Sequence, residues 1–465
     1  MPVNATNALA AFAAETALEE IPPQVKSLTR RQVLDTLGLM LAGSTTDGCQ
    51  LTQGLFGELG GAPQATAVGT GRRLSVLQAA YANGEAAHAL DYDDTQLAAS
   101  PDRVYGLLMH PSAPSLGAVL PVAESIHATG AELLLAFAIG VEVSCKVAEA
   151  LDPAHYRSGF HTTGTVGALG AAAGAGRLLG LDATRMNVAL GLAASTSAGL
   201  RENFGTMTKP FHAGRAAENG VLAALRVARG HSASKGILEA QRGFFAAYGG
   251  GDGAVIEKTL GRPWTAADPG ISIKPYPSGS LTHPAVDATL ELVLENDLQP
   301  HEVEQIHVGV NEYMPQALLH DIPEDELQAK FSMKYGVAIA LLDRRAGIAQ
   351  FSDARVKSED ARAWVHRVVV EVDERANVAG YDQMYSIVSI RLRDGRVLER
   401  QASFARGSPL KPMTDEELAT KFRECVALVG ASAAEADDVI DQTGELETVA
   451  DVADLAVLGI GRATR

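Results

Sequence analysis

The densest run of chemistry-bearing side chains is His88-Ala89-Leu90-Asp91-Tyr92-Asp93-Asp94-Thr95. It sets a histidine and three carboxylates, groups that carry protons or attract hard cations, at the end of a helical stretch. A solvated helix terminus capped by Asp and Thr is the plainer reading on composition alone. As a Mg2+ site the run matches neither an EF-hand loop nor a repeated aspartate-rich box. Met109-His110-Pro111-Ser112 and Gly159-Phe160-His161-Thr162-Thr163 each place a histidine ahead of a helix; the first could donate or accept a proton there, and the second, with its Thr hydroxyls, favours a bound carboxylate. Proline and hydroxyl caps would explain both loops without any function. Lys209-Pro210-Phe211-His212-Ala213-Gly214-Arg215 packs three basic or protonatable groups into an apolar, Gly/Pro-shaped stretch of an acidic chain. A solvated basic turn competes there with a buried loop over a helix start. A second such loop runs from Lys274 to Pro284, and a third group, Lys330 to Tyr335, opens a helix. Taken together these residues are equipment for proton transfer on a small polyanion: lysines and histidines hold carboxylates while one histidine or carboxylate moves a proton beside a carbonyl-derived group.

The elements that must position them fall into two kinds. Residues 1–262 read as helix after helix, with predicted helices over 75–88, 115–127, 131–151, 165–179, 183–200 and 215–229. The segment from Thr165 is unusually rich in Gly and Ala, which suits a central, tightly packed helix. Past Gly249–Gly253 the character changes. Strands are predicted over 271–274, 303–310, 368–372 and 386–393, and Asp394-Gly395 turns the chain into a last strand over 396–404. Helices are expected near 284–294 and 327–342. The predicted fold is therefore mainly α: a large all-helical domain (1–262), a smaller α+β lid domain with an antiparallel sheet (263–408), and C-terminal helices (409–465) packing back on the first. Domain junctions favour pockets, and the Lys274 loop lies at this one.

Composition excludes several functions. The chain of 465 residues carries a net charge of −17, which opposes nucleic acid as a partner. Cys49, Cys145 and Cys425 lie far apart without CxxC spacing, which excludes a thiolate cluster or a Cys-rich zinc site and makes a reducing cytoplasm the expected setting. No basic residue precedes Lys26, so no secretory leader is expected, and the longest clean apolar run, Leu133 to Val141, is too short to span a membrane. Gly174-Ala175-Gly176-Arg177-Leu178-Leu179-Gly180 has the wrong spacing and no preceding strand for dinucleotide binding. No nucleophile elbow, phosphate-binding loop or His-Glu-x-x-His motif stands in the required context.

The run from His88 to Thr95, His110-Pro111-Ser112, Gly159-Phe160-His161, the Lys209 to Gly214 stretch, Lys274-Pro275-Tyr276-Pro277 and Thr282-His283-Pro284 together resemble the MmgE/PrpD family. The similarity covers nearly the whole chain in one order, through Met413 to Glu417. It implies an all-helical domain with a smaller α+β lid, a homodimer, and an active site between the domains that needs neither metal nor organic cofactor. It further implies Asp91, His110, His161, Lys209 and Tyr335 as catalytic residues, with Thr95, Lys274, His212 and His283 binding a small anionic carboxylate. The stretch from Ser100 to Tyr105, between two of these positions, is longer than in the family's dehydratases and sets that substrate apart.

Two activities fit these residues. One is a cofactor-free lyase that eliminates water or CO2 from a di- or tricarboxylate, with Lys209 and Lys274 on carboxylates, His110 or His161 as acid or base, and Asp91 orienting a histidine. The other is an isomerase in which the same base removes an α proton and returns it on the other face. Outside the family, a Mg2+-dependent helical synthase using Asp91, Asp93 and Asp94 leaves the α+β segment unexplained, and a non-catalytic binding protein would bind without turnover.

Overall fold

The computed structural model describes residues 4–97, 109–379 and 384–461. The helical domain contains α1 (Ala5–Glu15), α2 (Pro23–Gly43), α3 (Asp47–Leu59), α4 (Val76–His88), α5 (Ser112–Ile126), α6 (Gly130–Ala150), α7 (Thr162–Leu178), α8 (Ala183–Ala194), α9 (Thr208–Ala228) and α10 (Gly253–Thr259). Reciprocal capping fixes the starts of α4 and α6: the Ser75 and Thr129 side chains accept from the third helical residue, which answers with its own side chain. A short hairpin, β1 (Ala65–Ala67) with β2 (Arg72–Leu74), interrupts the helices and was not expected from the sequence. The helix expected from Arg215 begins earlier, at Thr208, so Lys209 and His212 lie in its first turns rather than in a loop. Pro210 is tolerated there because the first N–H groups of a helix have no partner within it.

Helix α7 lies at the centre and packs on α5, α6 and α9. Glycine makes this closeness possible. A Cβ at Gly220 of α9 would fall 2.6 Å from the Ala172 nitrogen of α7, and one at Gly117 of α5 would fall 2.7 Å from the Gly84 Cα of α4. Backbones that approach this far leave no room for even a methyl group.

The α+β domain holds a four-stranded sheet in the order β4 (Val368–Val372), β3 (Val303–Val310), β5 (Ser386–Leu392), β6 (Val397–Ala402). β3–β5 and β5–β6 are antiparallel, the latter joined at Asp394-Gly395 as expected. β3 and β4 run parallel, with Val308 opposite Val370. The physical reason is the connection: residues 311–367 contain α12 (Met333–Asp343) and α13 (Glu359–Val365), a crossover rather than a hairpin. One face of the sheet packs Ile306, Val308, Val388 and Ile390 against α11 (His283–Glu295) and α12. The strand expected over 271–274 is a single bridge, Ser272 to Thr95, and the helix expected over 327–342 is split, its second part being α12.

The chain then returns to the helical domain through α14 (Asp415–Leu428) and α15 (Ala433–Gly444). Phe422 of α14 is 1% exposed and shares a core with Leu37 of α2 and Phe137 of α6. Truncating such a buried ring costs about 3–5 kcal/mol. No helix among the described residues is long and apolar enough to cross a membrane.

Candidate functional site

Several helix ends meet at one place. His88 closes α4, Ser112 opens α5 just after His110, His161 precedes the first residue of α7, and Lys209 lies in the first turn of α9. Lys274 reaches the same place from the segment linking the two domains. Asp91, in the turn after α4, has φ of 50°, a left-handed conformation that a non-glycine residue holds only under constraint from its surroundings.

The Lys209 ammonium donates to Asp91 Oδ1 at 2.6 Å and to His88 Nε2 at 2.8 Å. His88 therefore accepts at Nε2 and carries its proton on Nδ1, which donates to the Asp93 carboxylate at 2.8 Å. Lys274 Nζ donates to Asp91 Oδ1 at 3.0 Å and to the Asp91 carbonyl at 2.9 Å. His110 Nδ1 lies 3.0 Å from the Asp94 carbonyl, which can only accept, so Nδ1 bears the proton. That leaves the lone pair on His110 Nε2, 3.8 Å from Asp91 Oδ1. Asp91, Lys209, Lys274 and both histidines are buried.

Burial and charge set the protonation states. Burial works to raise the Asp91 pKa, but Lys209, then Lys274 and His110, outweigh it and hold the carboxylate ionised. Burial lowers Lys209, and the Lys274 charge adds to this while Asp91 opposes it. Burial takes His88 down to about 3 and lowers His110, so both imidazoles are neutral near pH 7. Asp94 is pushed up to about 7 by burial, against its hydrogen bonds from Ser112 and Gln32.

Asp91, Thr95, His110, Lys209 and Lys274 line one cavity of about 40 Å³, closed on the helical side by Tyr156 and Phe204 and on the other by Ser280, Leu281 and Phe331. Phe204 and Phe331 stack with ring centroids 5.5 Å apart, one from each domain, and the Lys209 ammonium lies 5.2 and 5.5 Å from them. Two larger grooves, of about 620 and 480 Å³, contain none of the Asp91 cluster, so size does not mark the chemistry here.

The remaining expected residues are placed differently. His161 stands behind the cavity wall, its Nδ1 3.0 Å from His212 Nδ1 and its buried Nε2 without a hydrogen-bond partner among the described residues. His212 therefore contacts His161 rather than the cavity. His283 Nε2 donates to the Ser278 carbonyl at 3.0 Å and its ring meets Tyr276 edge-on. Tyr335 is not brought to the cavity: its hydroxyl donates to the Gln350 carbonyl and its ring packs on Phe351 inside the α+β core. Its helix α12 faces the sheet, which turns this ring inward. His88 and Asp93 were part of the first motif but were given no site role; their spacing at a helix end was the available signal. Ser280 and Phe331 lie within the Lys274–Pro284 and Lys330–Tyr335 stretches, whereas Phe204 had no signal, because it meets them only through the tertiary fold. The long stretch from Ser100 to Tyr105 lies outside the described residues.

Ligand atoms of His88, Asp91, Asp93 and His110 all lie within 4.8 Å of one another. They fit a metal poorly, because Lys209 and Lys274 already engage Asp91 Oδ1 and Lys209 occupies His88 Nε2. A divalent cation there would face two ammonium groups at close range. Asp94, the third member of the proposed aspartate cluster, turns instead to Ser112 and Gln32.

A helical domain that carries one short hairpin is thus followed by a smaller α+β domain, and the lysine pair lies where the two meet. The chain belongs to the MmgE/PrpD family: the model of the MmgE/PrpD N-terminal domain matches residues 7–257 and that of the C-terminal domain matches 276–446. Among its relatives, cis-aconitate decarboxylase of Homo sapiens is 29% identical over 417 residues, which cover 85% of this chain and 82% of that protein. The Mus musculus cis-aconitate decarboxylase is also 29% identical, over 85% of this chain and 81% of its own. That of Aspergillus terreus is 25% identical over 90% of this chain and 88% of its own.

Proposed function

We propose that the protein is a cofactor-independent lyase that decarboxylates cis-aconitate or a closely similar tricarboxylate. The observation that carries this reading is the pair of buried ammonium groups, Lys209 and Lys274, meeting on Asp91 Oδ1 in the cavity that also holds His110. Such a pair offsets the desolvation of substrate carboxylates that a chain of net charge −17 would otherwise repel. The relatives' activity supports the choice of substrate.

The chemistry is an allylic shift. The bond from the CH2 carbon to its carboxylate breaks and CO2 leaves. The freed electron pair forms a new double bond to the central carbon, and the old double bond takes a proton at its far carbon. Lys209 and Lys274 hold the carboxylates that remain and stabilise the charge developing on them. His110, with Nδ1 fixed on the Asp94 carbonyl, is the proton carrier at Nε2. Its Nε2 lone pair takes up a proton from solvent when the anionic substrate is bound and passes that proton to carbon, which returns the imidazole to its neutral form. His88 and Asp93 keep Lys209 in place, His88 offering Nε2 as acceptor.

Proton NMR in D2O with citrate, 2-methylcitrate, cis-aconitate and iminodisuccinate, with and without EDTA, tests the reading. The expected result is a terminal methylene pair growing from cis-aconitate, with one deuterium per product at the adjacent CH2, unchanged by EDTA. A new vinyl signal from 2-methylcitrate or citrate alone would make the enzyme a hydro-lyase. Deuterium wash-in at an α carbon without a new vinyl signal would make it an epimerase. Loss of turnover on chelation, restored by Mg2+, would refute the cofactor-free mechanism.

A further inference from the structure

We infer that Lys421, paired with Asp35, is a positioning residue that clamps together the two segments carrying Asp91 and Lys274. Lys421 lies on α14, far along the chain from both, and is 4% exposed. Its ammonium donates to the Tyr92 carbonyl at 2.9 Å and to the Lys274 carbonyl at 3.0 Å. It also lies 2.6 Å from Asp35 Oδ1 of α2, a contact of charge rather than an aligned hydrogen bond, and 3.8 Å from the centre of the Tyr92 ring. The two carbonyls belong to the residue after Asp91 and to Lys274 itself. On the cavity side the same segments are joined again, by Lys274 Nζ on the Asp91 carbonyl. The Tyr92 hydroxyl, donating to the Pro275 carbonyl at 3.1 Å, adds a third tie.

This brace explains how Asp91 keeps its left-handed φ of 50°. The carbonyl of the next residue is gripped from behind while the Asp91 carboxylate is gripped from the front. Lys421 does not line the Asp91 cavity and borders a different groove, so it acts through Asp91 and Lys274 rather than on substrate. Asp35 balances its charge, which keeps a third unpaired ammonium away from Lys209 and Lys274.

The inference rests on the lyase reading and is tested with the full-length enzyme on cis-aconitate, with thermal midpoints measured alongside kinetics. Lys421→Arg keeps the charge, but the longer, planar guanidinium aims its N–H groups differently and does not reproduce the geometry of a tetrahedral ammonium on both carbonyls. Its kcat should fall about tenfold with KM within about threefold. Lys421→Met should lose about 100-fold in kcat, the scale of a 1 Å misplacement of reacting groups. The double variant Asp35→Asn/Lys421→Met removes both buried charges and should regain thermal stability over Lys421→Met without regaining kcat. Recovery of kcat with stability in the double variant, or parental kcat in Lys421→Arg, would overturn the inference and leave the pair as a fold-holding contact. An active parent with equally active variants sinks the inference alone, whereas a parent silent on every carboxylate sinks the lyase reading and the inference with it.

Discussion

Replacing Lys209 by Met is the sharpest perturbation of the proposed mechanism. Methionine keeps the length and apolar bulk of the lysine stem while one positive charge disappears, and with it the ammonium's approach to the Phe204 and Phe331 rings. In the structure that charge lies 2.6 Å from Asp91 and 2.8 Å from His88. At an effective dielectric of about 20, a unit charge about 3 Å from a carboxylate is worth about 5 kcal/mol before desolvation. The net value of a hydrogen bond to a charged group is smaller, about 1.5–3 kcal/mol. Leaving His88 Nε2 without its donor adds about 1 kcal/mol. A loss of about 3–4 kcal/mol in transition-state stabilisation follows, and at 1.36 kcal/mol per decade this is about a 10²–10³-fold drop in kcat/KM. Continuous observation of the product methylene signal, or of CO2 release, measures it. Because the pair is buried, the deficit should not shrink at high salt. A Lys209→Met enzyme within tenfold of the parent would show that the lysine pair is not what receives the substrate.

Other outcomes follow from the same geometry. His88→Gln should lower kcat/KM about tenfold, because Lys209 loses an acceptor fixed by Asp93; parental activity would remove His88 from the mechanism. Tyr335→Phe should leave kcat within threefold while costing about 1 kcal/mol of stability for the lost bond to Gln350, and a hundredfold loss of kcat would restore the catalytic role that the resemblance implied. Stability against pH should show a plateau. Burial takes His88 and His283 down to about 3 and His212 to about 4, so as pH falls through 6.5 the unfolded chain binds protons that the folded one refuses, at up to about 1.4 kcal/mol per pH unit each. Burial raises Glu85, Asp94 and Glu142 to about 7, and these act in the opposite sense: between pH 7 and about 4.5 the folded chain holds protons that the unfolded one releases. The urea midpoint should therefore stay flat from about pH 6.5 to 4.5 and drop steeply below 4, where the histidines and the carboxylates held below their ordinary range, Asp91, Asp93 and Asp360 among them, still act. A steady decline beginning at pH 6.5 would contradict these directions.

Much of this was legible in the chain itself, for identifiable reasons. Helical periodicity and capping residues such as Ser75 and Thr129 act locally, so most helix starts were found to within a few residues, the exception being α9, which begins at Thr208 rather than Arg215. The hairpin at Asp394-Gly395 was equally local. The parallel pairing of β3 and β4 was not, because it depends on where a 57-residue connection returns. At the site, Asp91, His110, Lys209 and Lys274 stood out because charged or titratable groups in apolar, Gly/Pro-shaped surroundings call for a reason to be buried. Tyr335 was carried over by resemblance, and the inward face of α12 places it elsewhere. Lys421 sits in a helix whose sequence, with Glu416, Glu417 and Glu424 near it, reads as a solvated face. Only the fold reveals that its ammonium turns inward onto Tyr92 and Lys274.

The glycine contacts between the central helices bear on how this protein can change. His88, His110, His161 and Lys209 sit at the ends of α4, α5, α7 and α9, and the spacing of those helices is set by pairs such as Gly84 with Gly117 and Gly220 with Ala172. A side chain gained at any of these positions would wedge two axes apart and shift a proton carrier or an ammonium by a similar distance, although the altered residue touches neither substrate nor catalytic group. The least reactive residues in the chain thus set the tolerance of its chemistry. A change in the wall formed by Ser280, Leu281 and Phe331 alters the cavity directly, whereas a side chain added where the central helices touch would displace several reacting groups at once.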